Sequence, residues 1–370
     1  MHVLVLLAQE YWTGPAEGVL QITRGLQARG HRVTFIYTRH PLGHLQHHVD
    51  GMGPEALPEV QLPRKGFHPL IMAFDWFYLR QYIAAQKVDV IFCHLSHDNW
   101  IALSLLLRSK QRPILVRQVH QSRQLAKNVN RILLYRRADA LVVAADDWKA
   151  RLVDNFRLDP AKVAVIPAGV DTERFALGGD VEAVRGEVGA QPGDKLIGMV
   201  GRIKPGRGQD LALQAFQLVR RNSPGARMLF VGRGEGKAAL KREVARRGLG
   251  EQVHFLGYRT DDLPAIYRAL DVHLVLGEGS DGTCRAALEA LACGTPVVAL
   301  PVGALPESLV DGRTGYFASP TANDIATKIL SVLSGPELRG SAREHALAKF
   351  SIARRVDLAE KLLVNLAARR

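Results

Sequence analysis

Two stretches of this sequence combine residue types that suit a phosphorylated ligand. The first runs from Ser280 to Pro296 (S-D-G-T-C-R-A-A-L-E-A-L-A-C-G-T-P). It reads as an acidic, glycine-containing turn, Asp281-Gly282-Thr283, entering a helix from Cys284 to Cys293, which a Gly-Thr-Pro turn stops before a buried strand. A helix entered through a small-residue turn presents free backbone N–H groups and the positive end of its dipole, and Glu289 further along supplies a carboxylate. Such a surface suits a sugar diphosphate. The second stretch, Gly201-Arg202-Ile203-Lys204-Pro205-Gly206-Arg207-Gly208, offers cations on a flexible backbone, with the bidentate geometry that arginine brings to phosphate oxygens. It lacks the Gly-Lys-Ser/Thr ending of a P-loop. Each feature also has a structural reading: arginines paired with surface acids, Glu289 in an ion pair, Asp281 as a helix cap.

The elements that must position these residues alternate along the chain. Val3 to Leu7, Arg32 to Tyr37, Asp89 to Cys93, Ile114 to Val119, Ala140 to Ala144 and Val163 to Ile166 are short apolar runs expected as strands, with amphipathic segments such as Ala16 to Arg29 between them. The pattern restarts with Leu196 to Val200, Arg227 to Val231, Val253 to Leu256, Val272 to Leu276 and Pro296 to Leu300. Alternation of this kind makes parallel sheets covered by helices on both faces, and the length calls for two domains. Strand patterning lapses between Gly169 and Pro192, where the linker is expected, and a long helix follows Phe350-Ser351. His120 ends a strand, where open α/β sheets bind their ligands.

The order and spacing of these motifs resemble the family 4 retaining glycosyltransferases. The resemblance rests on Asp281, seven residues, Glu289 and then Ala-x-Ala-x-Gly-x-Pro-Val-Val; on Gly14 and His120; on Pro167 to Phe175; and on Gly201-Arg202 with Arg207-Gly208. It implies an α/β GT-B fold of two facing doubly wound Rossmann-like domains. Residues 1–175 would form the acceptor-side domain, 176–349 the nucleotide-sugar domain, and 350–370 a C-terminal helix crossing back to the first. It further implies that Arg202 and Arg207 neutralise the leaving nucleoside diphosphate in place of a metal ion, so that neither metal nor cofactor is expected. Glu289 would hold the ribose hydroxyls and His120 a donor-sugar hydroxyl. Asp281 would approach the transferred sugar, with Gly282, Thr283 and Cys284 offering backbone donors. Gly14 would lie against diphosphate or acceptor, Gly232 on the nucleotide side, and Tyr258 with Arg259 beside the base. Three positions depart from the family pattern: Asp281 where Glu is usual, Pro15 in place of a second glycine, and Arg207 in place of Lys. A carboxylate and a cation survive at the two charged positions.

Composition narrows the setting. Three cysteines, Cys93, Cys284 and Cys293, are too few and too scattered for a disulfide framework or a zinc site, which points to a reducing cytoplasm. His2 to Ala8 reads as a first strand rather than a signal peptide, and no stretch is long enough to span a bilayer. The net charge is 49 − 36 = +13, and residues 60–137 hold 13 basic against 3 acidic residues, 13 − 3 = +10. That asymmetry implies an anionic partner. The basic residues fall among strand and helix patterns without an RNA-binding motif, which argues against nucleic acid. The aromatic run Phe67 to Arg80, preceded by Arg64-Lys65, suits either a membrane-surface helix or core packing. The histidines His40, His44, His47 and His48 read as a solvated loop rather than a metal site. The expectation is a cytoplasmic enzyme at the inner face of the plasma membrane. It would move a hexose-type sugar from a nucleoside diphosphate, UDP favoured, to a lipid-linked or cell-envelope glycan such as lipopolysaccharide. The alternatives are a soluble enzyme making a small glycoside or storage glycan, and a non-catalytic sugar-nucleotide-binding homologue.

Overall fold

Apolar runs with no polar alternation must be buried on both faces, and here they become the centres of parallel sheets. The computed structural model describes residues 1–9, 14–38, 45, 49, 55, 56, 69–106, 112–277, 285–335 and 337–369. The chain divides into two units, Met1–Gly169 with Ile352–Arg370, and Val170–Ser351.

The first unit holds β1 (His2–Leu7), β2 (Arg32–Tyr37), β3 (Glu55–Ala56), β4 (Val90–Cys93), β5 (Ile114–Gln118), β6 (Ala140–Val143) and β7 (Val163–Val165). They form one parallel sheet in the order β3-β2-β1-β4-β5-β6-β7. Val5, Phe35, Val90, Val116 and Val142 form a core on one face with Val19 and Leu26 of the helix Gly14–Ala28. The final helix, Ile352–Ala368, joins that core through Ala359 and Leu363. Its Glu360 takes Arg29 and His31 at 2.7 Å each. This docks the end of the chain onto the first unit.

The second unit holds β8 (Leu196–Val200), β9 (Arg227–Val231), β10 (Val253–Gly257), β11 (Val272–Val275), β12 (Val297–Ala299) and β13 (Gly315–Phe317). Their order is β10-β9-β8-β11-β12-β13, again parallel. The chain enters this unit at Val170 and leaves at Ser351, and those two residues pair in an isolated parallel bridge. Residues 170–175, read from sequence as the end of the first domain, therefore group with the second unit.

In both sheets the strand order reverses about the first strand, β1 in one and β8 in the other. Loops leaving the strands on either side of such a switch point diverge, and a crevice opens at the carboxyl ends.

Candidate active site

In the second unit the switch point lies between β8 and β11. Gly201 and Gly232, leaving β8 and β9, have φ of +144° and +142°, values that side chains rarely adopt. A Cβ on Gly232 would lie 2.0 Å from the Gly201 carbonyl oxygen, so the two loops cross backbone on backbone. Gly208 then opens the helix Gln209–Asn222, and the Gln209 amide donates to the Arg202 carbonyl at 3.1 Å. The result is a crevice lined by Gly201, Arg202, Ile203, Arg207, Leu276 and Gly277.

The two arginines of this loop are in different states. Arg202 is exposed and donates to Glu235 from Nε at 3.2 Å and Nη2 at 3.0 Å. Such an exposed, solvent-screened surface pair adds little to stability and is easily broken. Arg207 is half-buried, and its Nε is enclosed without a hydrogen-bond partner among the described residues. A buried N–H of a cation with nothing to bond is costly unless a ligand completes it.

Glu289 sits on the helix Arg285–Ala292 and is buried. Its Oε1 accepts from Arg285 Nη2 at 2.8 Å, one helical turn earlier, and its Oε2 accepts from the Tyr267 hydroxyl at 2.9 Å. The Tyr267 hydroxyl is pushed well above its ordinary pKa by burial and by the adjacent carboxylate, so it stays a donor. The structural ion pair foreseen for Glu289 is thus present. Tyr267 and Arg285 were not singled out from sequence, although the i, i+4 spacing of Arg285 and Glu289 carries the signal for one of them. Asp281, Gly282, Thr283 and Cys284 lie outside the described residues, as do His40, His44, His47, His48, Arg64 and Lys65.

Gly232 lies in the crossing just described. Tyr258 is exposed at the end of β10, with the Arg233 guanidinium 4.8 Å from its ring centroid. Arg259, expected beside the base, is engaged by Asp262 at 2.6 Å and by Glu187. Its geometry is that of a strut between the helix Glu182–Glu187 and the end of β10.

In the first unit, His94 and His120 follow the carboxyl ends of β4 and β5. These strands pair Cys93 with Arg117, so both histidines emerge on one edge. His120 Nε2 lies 3.3 Å from His94 Nδ1, and both residues are buried. Burial, reinforced by the positive charges of Arg117 and Arg355, holds the His120 imidazole down at about 3. His94 is lowered as well, by burial first, then by His120 and the same two arginines. Both rings are therefore neutral near pH 7. Asp98 anchors this edge by accepting the backbone N–H groups of His94 at 3.1 Å and Leu95 at 2.8 Å. Its own pKa rises to about 6 through burial, partly offset by Arg117. Arg355 arrives from the final helix. A Cβ on Gly18 would stand 2.8 Å from Arg355 Nη1, so the guanidinium lies directly against the backbone of the helix Gly14–Ala28 and a side chain there would make it shift. Gly14 is the first residue of that helix, at the positive end of its dipole. His94, Gly18 and Arg355 were all missed from sequence.

Among the described residues no group of three or more His, Cys, Asp or Glu side chains could hold a metal ion. No helix among them is long and apolar enough to cross a membrane.

Two doubly wound parallel sheets, each with its candidate site residues at the switch-point edge, define a GT-B glycosyltransferase architecture. The sequence profile described as Glycosyltransferase Family 4 matches residues 12–174, and that described as Glycosyl transferases group 1 matches residues 180–349. The chain belongs to this family of glycosyltransferases. A D-inositol 3-phosphate glycosyltransferase of Mycobacteroides abscessus is 31% identical over 303 residues, 79% of this chain and 65% of that protein. Others of that description are matched over as little as 39% of their length, so the chain spans less than two-thirds of these relatives. Among solved structures, a glycosyltransferase from Rickettsia africae superposes with a TM-score of 0.86 at 16% identity, covering 100% of this chain and 99% of that one. Anabaena HepE in complex with UDP superposes with a TM-score of 0.82 at 19% identity, covering 99% and 100%.

Proposed function

We propose that this chain is a retaining glycosyltransferase that moves a hexose-type sugar from a nucleoside diphosphate, UDP favoured, to a lipid-linked or cell-envelope glycan. The observation that carries the reading is Arg207, which lines the switch-point crevice with an enclosed Nε that has no hydrogen-bond partner among the described residues. A diphosphate oxygen is the acceptor that would complete it. Arg202 joins by leaving Glu235, and these two cations with backbone N–H groups take the place of a metal ion. Glu289, pre-oriented by Arg285 and Tyr267, receives the ribose hydroxyls. Asp281 with the backbone of Gly282, Thr283 and Cys284 completes the donor side, and Gly14 with the helix it opens faces acceptor or diphosphate. The bond from the anomeric carbon to phosphate oxygen breaks as the bond to the acceptor oxygen forms on the same face, and the acceptor's proton passes to the leaving phosphate. His120 is too weak a base at about 3 to take that proton near pH 7, so its part is a hydrogen bond to the transferred sugar. The UDP complex of the similarly folded HepE favours uridine.

The test is a thermal-shift screen against UDP-, GDP- and ADP-sugars, followed by donor hydrolysis with and without EDTA. UDP-sugars should stabilise the protein, and EDTA should leave turnover unchanged. Loss of activity restored only by manganese or magnesium overturns the arginine-based site, and no shift with any nucleotide sugar overturns the enzyme in favour of a different ligand.

The lipid-linked acceptor rests on one face of the first unit. The helices Pro69–Ala85, Ser96–Leu106 and Val129–Arg137 pack in succession. The first exposes Leu70 (86%), Phe74 (58%) and Phe77 (59%) at i, i+4 and i+7, and the third exposes Val129 (82%). Arg80, Lys87, Arg123, Lys127, Arg136 and Arg137 are exposed along the same stretch of sequence, whereas Asp75 and Asp98 are buried. Asp89 is the one exposed carboxylate among the described residues from 69 to 137. Apolar side chains set among cations suit an anionic bilayer surface. Sedimentation with anionic vesicles should be strong at low salt, weaker at high salt, and lost in a Phe74→Asp, Phe77→Asp variant that still hydrolyses donor. Wild-type protein that never sediments transfers the proposal to a soluble acceptor.

A further inference from the structure

The catalytic edge of the first unit contains a second histidine that nothing above uses. His94 and His120 share one hydrogen across the 3.3 Å between His94 Nδ1 and His120 Nε2. Their backbones are fixed independently. The His94 N–H is held by Asp98 at 3.1 Å, and the His120 N–H donates to Gln124 Oε1 at 2.9 Å. The His94 ring also rests on Phe92, with centroids 4.5 Å apart.

Two neutral rings carry two hydrogens over four nitrogens, so the shared contact admits two arrangements. If His94 Nδ1 donates, its Nε2 is a bare acceptor and His120 carries its hydrogen on Nδ1. If His120 Nε2 donates, His94 carries its hydrogen on Nε2 and His120 Nδ1 is bare. His94 Nε2 and Gln118 Oε1 are both buried and without a hydrogen bond among the described residues, and the Gln118 side chain favours a proton on His94. Only a hydrogen on His94 Nε2 gives the Gln118 oxygen a donor, and buried polar groups find partners where they can. The second arrangement is therefore favoured. It directs the shared hydrogen from His120 Nε2 to His94 Nδ1 and makes His94 Nε2–H the donor that Gln118 Oε1 otherwise lacks.

We infer that His94 is a positioning residue: relaying to Gln118, it fixes the His120 ring and its tautomer, so that His120 presents Nδ1 as a hydrogen-bond acceptor to a substrate hydroxyl. This rests on the reading of His120 as a substrate-contacting residue given under Proposed function. The outcome is a ring that accepts a hydrogen bond from a neutral hydroxyl without removing its proton. The groups facing the pair are Arg117 from β5, Arg355 from the final helix and Asp98 from the helix Ser96–Leu106.

The test combines nitrogen-15 NMR of histidine-labelled protein with kinetics. In the wild type near pH 7, His120 should show a bare Nδ1 and a protonated Nε2. In His94→Phe, which keeps a flat ring on Phe92 but cannot accept, His120 should lose that single tautomer. The kcat for transfer should fall about 10–100-fold, as loss of near-attack positioning does, with the donor KM little changed. His94→Gln, able to accept from His120, should recover part of the rate. Wild-type protein with hydrogen on His120 Nδ1, or a folded His94→Phe variant with wild-type kcat, overturns the inference. A wild type that neither transfers nor hydrolyses donor overturns the functional reading instead, while the NMR result still decides the tautomer.

Discussion

Replacing Arg207 by alanine should separate ligand binding from stability, because one buried donor of its guanidinium is unmet among the described residues. Its Nε is enclosed with no partner among the described residues. Leaving such a donor unmet costs about 1–3 kcal/mol, a penalty that Arg207→Ala removes while forfeiting the packing of the side-chain stem. The two effects oppose, so unfolding free energy in urea should change by less than about 1 kcal/mol. Binding should change far more. A hydrogen bond to a charged group is worth about 1.5–3 kcal/mol, equivalent to about 10–150-fold in UDP affinity. At a UDP concentration a hundredfold above the wild-type Kd, ligand stabilisation is about 2.7 kcal/mol; a hundredfold weaker variant retains about 0.4 kcal/mol at the same concentration. Arg202→Ala should lose less, since Arg202 must first leave Glu235, and that exposed pair already satisfies part of its fork. Calorimetric titration with UDP and urea denaturation of both variants measure the two quantities. An Arg207→Ala protein destabilised by more than about 2 kcal/mol with unchanged UDP affinity would refute the reasoning and make Arg207 a structural strut.

Further outcomes follow from other buried groups. His273 in β11 is held at about 3 by burial, so the native state keeps it neutral while the unfolded chain protonates near 6.5. Its stabilising contribution is complete above pH 6.5 and is lost as pH falls toward 3, at about 2 kcal/mol between pH 7 and 5; urea denaturation at the two pH values, with NMR titration of the ring, checks both size and sign. Gly232→Ala should cost about 3 kcal/mol or more, since φ is +142° and the new Cβ would meet the Gly201 carbonyl oxygen at 2.0 Å; a wild-type midpoint in urea would show that the two loops can part.

The strands legible in the sequence are the ones whose burial on two faces leaves a run of apolar residues. Expected and observed limits differ by one residue or so: Asp89 to Cys93 against Val90–Cys93, Pro296 to Leu300 against Val297–Ala299. The two strands not anticipated are short edge strands. β3 is Glu55–Ala56, and β13 is Gly315–Phe317, whose first residue has φ of +147°. Neither is long enough to show a period, and both exist because a neighbouring strand offers backbone partners. The unit boundary was blurred for a related reason. Loss of strand pattern after Gly169 marks the end of a sheet, whereas the grouping of Val170 with the second unit comes from its pairing with Ser351, distant in sequence.

At the candidate site, sequence exposed the residues whose type and spacing are unusual, and hid those that matter through what stands beside them. Arg202 and Arg207 read alike in a glycine-rich loop, yet one is paired across the surface and the other has an enclosed Nε with no partner among the described residues. That difference depends on Glu235, contributed by the loop after another strand. Gly18 carries no chemistry of its own, but the space it leaves is where the Arg355 guanidinium lies, and that charge helps keep His120 neutral. His94 is one histidine among several in its segment, and its meaning arises only from the parallel register that sets Cys93 beside Arg117 and so aligns two strand ends. Sequence motifs therefore recover groups that would touch the ligand. The groups that fix the protonation and direction of those contacts come from pairs far apart in the chain, and become visible only once the sheet has brought them together.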